Sequence, residues 1–472
     1  MRREKKPGRR KQTQLLVSQP PQCCNAVPLA VLLALLLVFL LAAVREGALL
    51  YSAPSLRPFP APRDYTRDDG FSTFECIGLQ GSQHPLPWEE RFIGEGFFDE
   101  PGDAHKLCKL RNVCSAGGQL TYYENPRTEG RAPQWARFSA FPGGGPSCIG
   151  LVAGVSVGCN KTPTVNVVHG PRPPFPWAAP HGAVHYLDRM SDPSNWGHLM
   201  QDTLVPTIAA AQLWGHDPAS AVLLLGNDCA TFTDNPGMSH LPANVPLKDG
   251  RLPRAACQDN LARWVPFLFA APPLLPPHPD ACYHELVLGH THALSLGHWY
   301  AHRGAAHRVA RTMAHARAGR VPPEVAGPPR AHAVHVWSKL GGQTAHIKPG
   351  WDICAAVRGW VAELAVLSSS AALPSVTCSA PATLSPAEQL ASLDEATVIV
   401  SEHGSTTYLA PFARPGASAI IVGRKEAHVL LGLPDLRVLY VSVEGAMGGE
   451  GPGLLALALD TAGQRMGLPA LE

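Results

Sequence analysis

The chain has no Cys-x-x-Cys pair, no run of Lys or Arg after residue 45, and no internal repeat. The first absence argues against a zinc ribbon or a dithiol redox centre, both of which use paired ligands at close spacing. The second leaves no basic face for a nucleic acid, because phosphate binding needs clustered cations. Lys and Arg number 39 against 37 Asp and Glu, and seven of the bases but one acid fall in the first twelve positions, so the remainder is mildly acidic. The third absence removes solenoids and arrays of repeated units.

The basic start, with Arg2, Arg3, Lys5, Lys6, Arg9, Arg10 and Lys11, belongs to no core. Ala26 to Val44 follows as nineteen uncharged residues, close to the ~20 that a helix needs to cross hydrocarbon. Positive charge before the span orients the N-terminus to the cytosol. A cleavable signal peptide would have a shorter apolar stretch and a small-residue cleavage site, which Leu41-Ala42-Ala43 imitates; the length favours an uncleaved anchor. Residues 1–25 are then a cytosolic tail, 26–44 the signal-anchor, and 45–70 a Pro-rich stem too poor in apolar residues to fold. Ten of the twelve cysteines lie beyond the span, which in an oxidising lumen favours disulfides. Asn160-Lys161-Thr162 is a glycosylation sequon, followed directly by Pro163.

About 400 residues beyond the stem exceed what one core usually serves. The Pro-rich stretch Val321 to Arg330 marks the expected boundary between an N-terminal α/β domain, 71–325, and a C-terminal one, 326–472. Short strands are expected at Ala183 to Leu187, Ala221 to Leu225 and Glu285 to Leu288. Further along, Ala333 to Trp337 reads as a strand. Trp351 to Leu364 reads as a helix whose apolar stripe is Ile353, Val357, Trp360, Val361 and Leu364. Ser385-Pro386-Ala387-Glu388 is a capping box that opens a second helix. Thr397 to Ser401, Thr406 to Phe412 and Ala419 to Val422 then read strand, helix, strand, which implies a parallel sheet. Two such halves around a cleft would bind nucleotides at the carboxyl ends of their strands.

Two segments carry the chemistry best. At Ser401-Glu402-His403-Gly404-Ser405-Thr406-Thr407 a strand runs into a glycine and a helix start, whose free N–H groups suit a diphosphate; an ordinary capped turn is the alternative. At Ser194 to Asp202 a helix opens with Ser194 or Asn195 as N-cap, and His198 and Asp202, four apart, share a face, either one as base with the other orienting it, or form a plain surface hydrogen bond. The histidine tract His290, His292, His298, His302 and His307 invites a metal, but lacks ligand spacing and reads better as a solvated loop and helix. Gly154-Val155-Ser156-Val157-Gly158 has a hydrolase spacing without the helix that a nucleophile elbow needs. Asp-x-Asp, which manganese-dependent sugar transfer commonly uses, does not occur.

Taken together, several blocks resemble the family 61 glycosyltransferases, which include plant β-1,2-xylosyltransferases, the EGF-domain O-GlcNAc transferase and a dystroglycan-modifying transferase. They are Leu107-Cys108 to Cys114 with Leu120-Thr121-Tyr122-Tyr123; Asn195-Trp196-Gly197-His198 with Asp202, Leu204 and Pro206; Cys282 to Gly289; and Glu388-Gln389-Leu390 leading to His403-Gly404-Ser405, Phe412, Pro415 and Gly416. One block departs: Lys339 stands where the family usually shows an arginine-rich strand end, a point charge without bidentate geometry.

The resemblance implies a GT-B-like α/β fold, two Rossmann-like domains facing a cleft, with the acceptor on the first and the nucleotide-sugar on the second. It implies an inverting transfer of a pentose or GlcNAc-like sugar from a UDP-sugar to a glycan or glycoprotein hydroxyl, in the Golgi or endoplasmic reticulum, by a single-pass type II protein without a required metal or cofactor. It also implies a Cys108–Cys114 bridge, Asp202 and His198 as catalytic pair, and His403, Gly404, Ser405, Thr406, Lys339 and Gln389 around the donor. A non-catalytic, membrane-tethered sugar- or nucleotide-binding protein on the same fold is the alternative that the Lys339 block favours.

Overall fold

A computed structural model of the chain describes residues 70–78, 106–117, 119–126, 165–178, 183–188, 194–225, 229, 246, 250–275, 279–288, 300–327, 332–338, 352–367, 373–423, 433, 435–442 and 451–465. The Ala26 to Val44 span, the stem, Asn160, Ser156, Lys339, and His290, His292 and His298 lie outside them. Among the described residues no helix is long and apolar enough to cross a membrane.

The fold is mixed α/β, built on two sheets. In the first lie β1 (Thr73–Gly78), β2 (Lys106–Ala116), β3 (Gln119–Glu124), β4 (Val165–His169), β5 (Val184–Asp188), β6 (Val222–Leu225) and β7 (Ala281–Leu288), ordered β4-β3-β2-β7-β5-β6 with β1 on β2. Its nucleus is the parallel trio β6-β5-β7. The chain leaves β5 through α1 (Trp196–His198), a π-helical turn (Leu199–Leu204) and α2 (Val205–Leu213) to reach β6, then passes through α3 (Pro253–Leu268) to β7. Pro206 explains the wide turn: without an N–H it cannot bond the carbonyl four residues back, so the ladder slackens ahead of it. To this trio the chain adds an antiparallel flank, β2 against β7, which the expectation of a purely Rossmann-like half did not include.

From β7 the chain enters α4 (Tyr300–Arg317) and α5 (Pro323–Ala326), then the second sheet. This comprises β8 (Ala333–Trp337), β9 (Ser375–Ser379), β10 (Val398–Glu402), β11 (Ser418–Gly423) and β12 (Arg437–Ser442), parallel throughout, as its strand, helix, strand pattern predicts. The order β12-β11-β10-β8-β9 is the doubly wound 2-1-3-4-5 arrangement. Alternation along the strands feeds both faces. Val334, Val336, Val398 and Val400 meet Ile353, Val357, Trp360 and Leu364 of α6 (Ile353–Leu367) and Leu455 and Leu459 of α8 (Gly451–Arg465). Trp337, Ile399, Ala419 and Ile421 face the other way, towards α7 (Pro386–Glu395), which the Ser385–Glu388 capping box opens as expected.

That second face is the centre of the molecule. One continuous core holds it together with Val184, Tyr186, Leu223 and Val287 of the first sheet and with the buried sides of α2, α3 and α4. Where α4 crosses from one sheet to the other, its buried Arg311 (4% exposed) bonds Glu324 at 2.6 Å and Asp435 at 3.0 Å, and donates to the carbonyls of Pro411 and Ala413. One turn on, His315 Nε2 donates to the Phe412 carbonyl at 3.0 Å, and its Nδ1 lies 3.3 Å from Asp394, which also holds Arg320. Burial pushes the Asp394 carboxyl up, but the hydrogen bonds and charges of His315 and Arg320 hold it below the usual aspartate range.

The disulfides correct one expectation. Cys114 is bonded to Cys282, not to Cys108. Cys108 and Cys114 lie on one extended strand, and six residues at ~3.3 Å each separate them by roughly 20 Å, whereas a bridge needs Cα atoms within about 7 Å. The antiparallel register sets Cys114 opposite Cys282 and Cys108 opposite Cys76. Cys229–Cys257 and Cys354–Cys378 are bonded as well, which fits a secreted or lumenal protein.

Arg311→Ala strands two carboxylates and should cost about 3–5 kcal/mol in denaturant unfolding, since breaking a buried pair leaves its partners uncompensated. For Asp394, a depressed carboxyl contributes stability above the unfolded aspartate value of about 3.9, lost as pH falls through the folded value. Asp394→Asn should therefore lower stability at pH 7 more than at about pH 3, as denaturant midpoints at the two pH values would report.

Candidate functional site

The strand order reverses between β5 and β7 in the parallel trio of the first sheet and between β8 and β10 in the second. Ligands of open α/β sheets bind outside the carboxyl ends of strands at such points. The segments that leave these ends are the two that the sequence singles out: Ser194 to Asp202 follows β5, and His403 to Thr407 follows β10.

Asn195 joins them. Its Oδ1 accepts from the Gly197 N–H at 3.0 Å, capping α1, and from the Ser405 hydroxyl at 2.7 Å. Beside this bridge the Tyr408 ring packs on Gly197 so closely that a Cβ there would meet Tyr408 Cδ2 at 2.4 Å. Ser405 and Tyr408 are three apart on a 3-10 helix (Ser405–Phe412) and therefore share a side. From behind, Trp196 stacks on Trp264 of α3 with centroids 4.2 Å apart, and Asn260 donates to the Ser194 carbonyl at 3.1 Å. The start of α1 is thus clamped between α3 and the 3-10 helix.

Gly404 adopts φ 120°, which only glycine takes without strain. The first internal bond of the 3-10 helix runs from the Thr407 N–H to the Gly404 carbonyl at 2.9 Å. The N–H groups of Ser405 and Thr406 therefore precede the ladder. The hydroxyls are engaged locally: Thr406 donates to the Glu402 carbonyl at 2.9 Å, Thr407 to the same oxygen at 3.2 Å, and Ser401 lies 3.1 Å from Thr406 Oγ1. His403 is half-buried, with its N–H on the Val422 carbonyl at 2.9 Å and its Cβ against Gly423.

Gln389 stands apart from this group. Its buried amide donates to the carbonyls of Pro381 at 2.6 Å and Leu384 at 3.1 Å, which fixes the loop between β9 and α7. The backbone of His198 and Asp202 is helical, and their side chains lie outside what the structure describes. Lys339 is outside the described residues. In the histidine region, Cys282 is disulfide-bonded, His284 stacks on Trp177 and Glu285 pairs with Arg111, so these three are committed elsewhere.

Of the two expected N-caps, Ser194 and Asn195, the structure uses Asn195, while Gly197, Tyr408 and Gly423 carry no signal of their contacts in the sequence. An Asn ahead of a helix signals a cap, but nothing in the order of residues shows a second donor reaching it from 210 positions away. No protein-family profile matches the chain, and no curated protein matches it.

Gly197→Ala is a sharp test of this contact. In a free helix Ala is favoured over Gly by about 1 kcal/mol, whereas against Tyr408 overpacking should cost about 1–3 kcal/mol. A lower melting temperature than the parent is expected; a higher one would mean that the ring does not rest on Gly197.

Proposed function

We propose that the chain is an inverting glycosyltransferase of the family 61 type, with a GT-B-like arrangement in which the first half holds a glycan or glycoprotein acceptor and the second a UDP-sugar. The observation that carries this reading is the Asn195–Ser405 bridge, which joins the segment after β5 of the first sheet to the segment after β10 of the second. A transferase of this kind needs a base on one side and a diphosphate cradle on the other, within reach of a single sugar.

In the step itself, Asp202, oriented by His198, takes the proton from the acceptor hydroxyl. The acceptor oxygen bonds the anomeric carbon from the face opposite the diphosphate, and the bond from that carbon to the diphosphate oxygen breaks, so configuration inverts and UDP departs with the electron pair. Charge that develops on the leaving oxygen is met by the N–H groups of Ser405 and Thr406, with His403 and Lys339 as side-chain donors, and Gly404 lets the phosphate approach the backbone. Because the Thr406 and Thr407 hydroxyls already donate to Glu402, the backbone rather than these hydroxyls supplies the cradle. The three disulfides are consistent with a lumenal setting, which the reading places in the Golgi or endoplasmic reticulum behind the Ala26 to Val44 anchor.

Full-length protein, supplied with a panel of UDP-sugars and assayed for UDP release and transfer to glycan acceptors, tests the reading. Turnover of one donor is expected, with UDP affinity lost in His403→Ala and turnover cut ~10²-fold or more in Asp202→Asn. Nucleotide binding without turnover would identify a non-catalytic binding protein instead, and no nucleotide binding at all would sink the donor site.

A further inference from the structure

We infer that Asn195 is a positioning residue of the transfer, a group that sets the acceptor-side helix in register with the donor-side turn. The inference rests on the glycosyltransferase reading of the same site. It starts from the economy of one atom. Asn195 Oδ1 receives a hydrogen bond from each half of the molecule, the Gly197 N–H at 3.0 Å from α1 and the Ser405 hydroxyl at 2.7 Å from the 3-10 helix. An amide oxygen has two lone pairs, and here both are used. The carboxamide is thereby fixed in one orientation, with Nδ2 as its remaining donor.

The two bonds do different work. The first caps the helical segment that carries His198 and Asp202 in its first two turns, so it sets where that helix begins. The second holds the first residue of the turn whose N–H groups precede the ladder. Beside this bond the packing of Tyr408 on Gly197 fixes separation without fixing direction. A base and a leaving group on opposite faces of one sugar must be aligned in distance and in angle, and a misplacement of about 1 Å can cost ~10²-fold in rate. Donor affinity, by contrast, depends on the turn and Lys339, not on where the acceptor-side helix begins.

The expected signature is a split. Asn195→Ala should leave the donor KM within about threefold while kcat falls ~10- to 100-fold, and donor hydrolysis by water should rise relative to transfer. Asn195→Asp, whose carboxylate can accept both bonds, should recover most of the lost kcat. Asn195→Ala and Ser405→Ala break the same contact, so their effects on kcat should not add. An Asn195→Ala protein with unchanged kcat, or one whose loss adds fully to that of Ser405→Ala, would overturn the inference and leave the transferase reading standing. So would a kcat loss in Asn195→Ala that Asp does not restore although Asp restores the melting temperature, because a cap that only stabilises the helix would behave in that way. A parent protein that turns over no donor in the panel would overturn both.

Discussion

Arg311 is the constraint on which the rest of the arrangement depends. It sits near the middle of α4, a helix that packs on α2 and α3 of the first half and on the 3-10 helix and α7 of the second, and it spends its guanidinium on Glu324 of α5, on Asp435 and on two carbonyls at the end of the 3-10 helix. A buried guanidinium has to be desolvated, and that is tolerable only where every donor finds a partner in the geometry available. Besides Glu324, the groups that satisfy it are the end of the 3-10 helix and Asp435 ahead of β12, so the same contact that solvates Arg311 fixes the far end of the segment that begins with Ser405. His315, one turn along, fixes it again through the Phe412 carbonyl. The position of Ser405 against Asn195 is thus set from both ends of an eight-residue helix.

How much of this was legible depends on the range of the interactions. The second sheet was readable because its central strands β8, β10 and β11 are buried on both faces and its helices carry local signals: Ser385 and Glu388 cap each other within four residues, and Ile353, Val357, Trp360 and Leu364 recur at helical spacing. The first half was less so. Its antiparallel flank is decided by pairing between β2 and β7, some 170 residues apart, and the same pairing rewrites the disulfide, since a cross-strand neighbour lies closer to Cys114 than a residue six along its own strand. Short helices also hid their type. Nothing in eight residues separates a 3-10 from an α period, and the π turn before α2 becomes legible only once Pro206 is set inside a continuous helix.

The hydroxyl-rich turn shows why residue type alone overstates a site. Ser405, Thr406 and Thr407 look like three side-chain donors for a ligand, yet after a strand they act first on their own backbone, as Ser and Thr commonly do where a helix begins. Two of them close on the Glu402 carbonyl and the third reaches Asn195. What they leave open is main-chain N–H, which is a better partner for a phosphate, because it costs no side-chain entropy and is oriented before the ligand arrives.

The converse case lies near the other end of α2. Tyr186 Oη and His216 Nδ1 are 2.8 Å apart, His216 Nε2 lies 3.4 Å from Glu285, and Arg111 lies 2.7 Å from the same carboxylate. Burial works against the Glu285 charge, but the hydrogen bond from His216 and the charges of Lys109 and Arg111 outweigh it and bring the carboxyl to about 2. Perturbation of that size often marks a catalytic group. Here its direction argues otherwise, because a carboxylate held so far below neutrality is a poor base and stays ionised at any working pH. Arg111 and Glu285 are also direct cross-strand neighbours in the β2–β7 ladder, so the pair has a sufficient explanation in holding the antiparallel flank to the parallel trio. The candidate chemistry therefore stays where the two strand reversals meet, in groups whose hydrogen bonds run between the halves of the molecule rather than within one sheet.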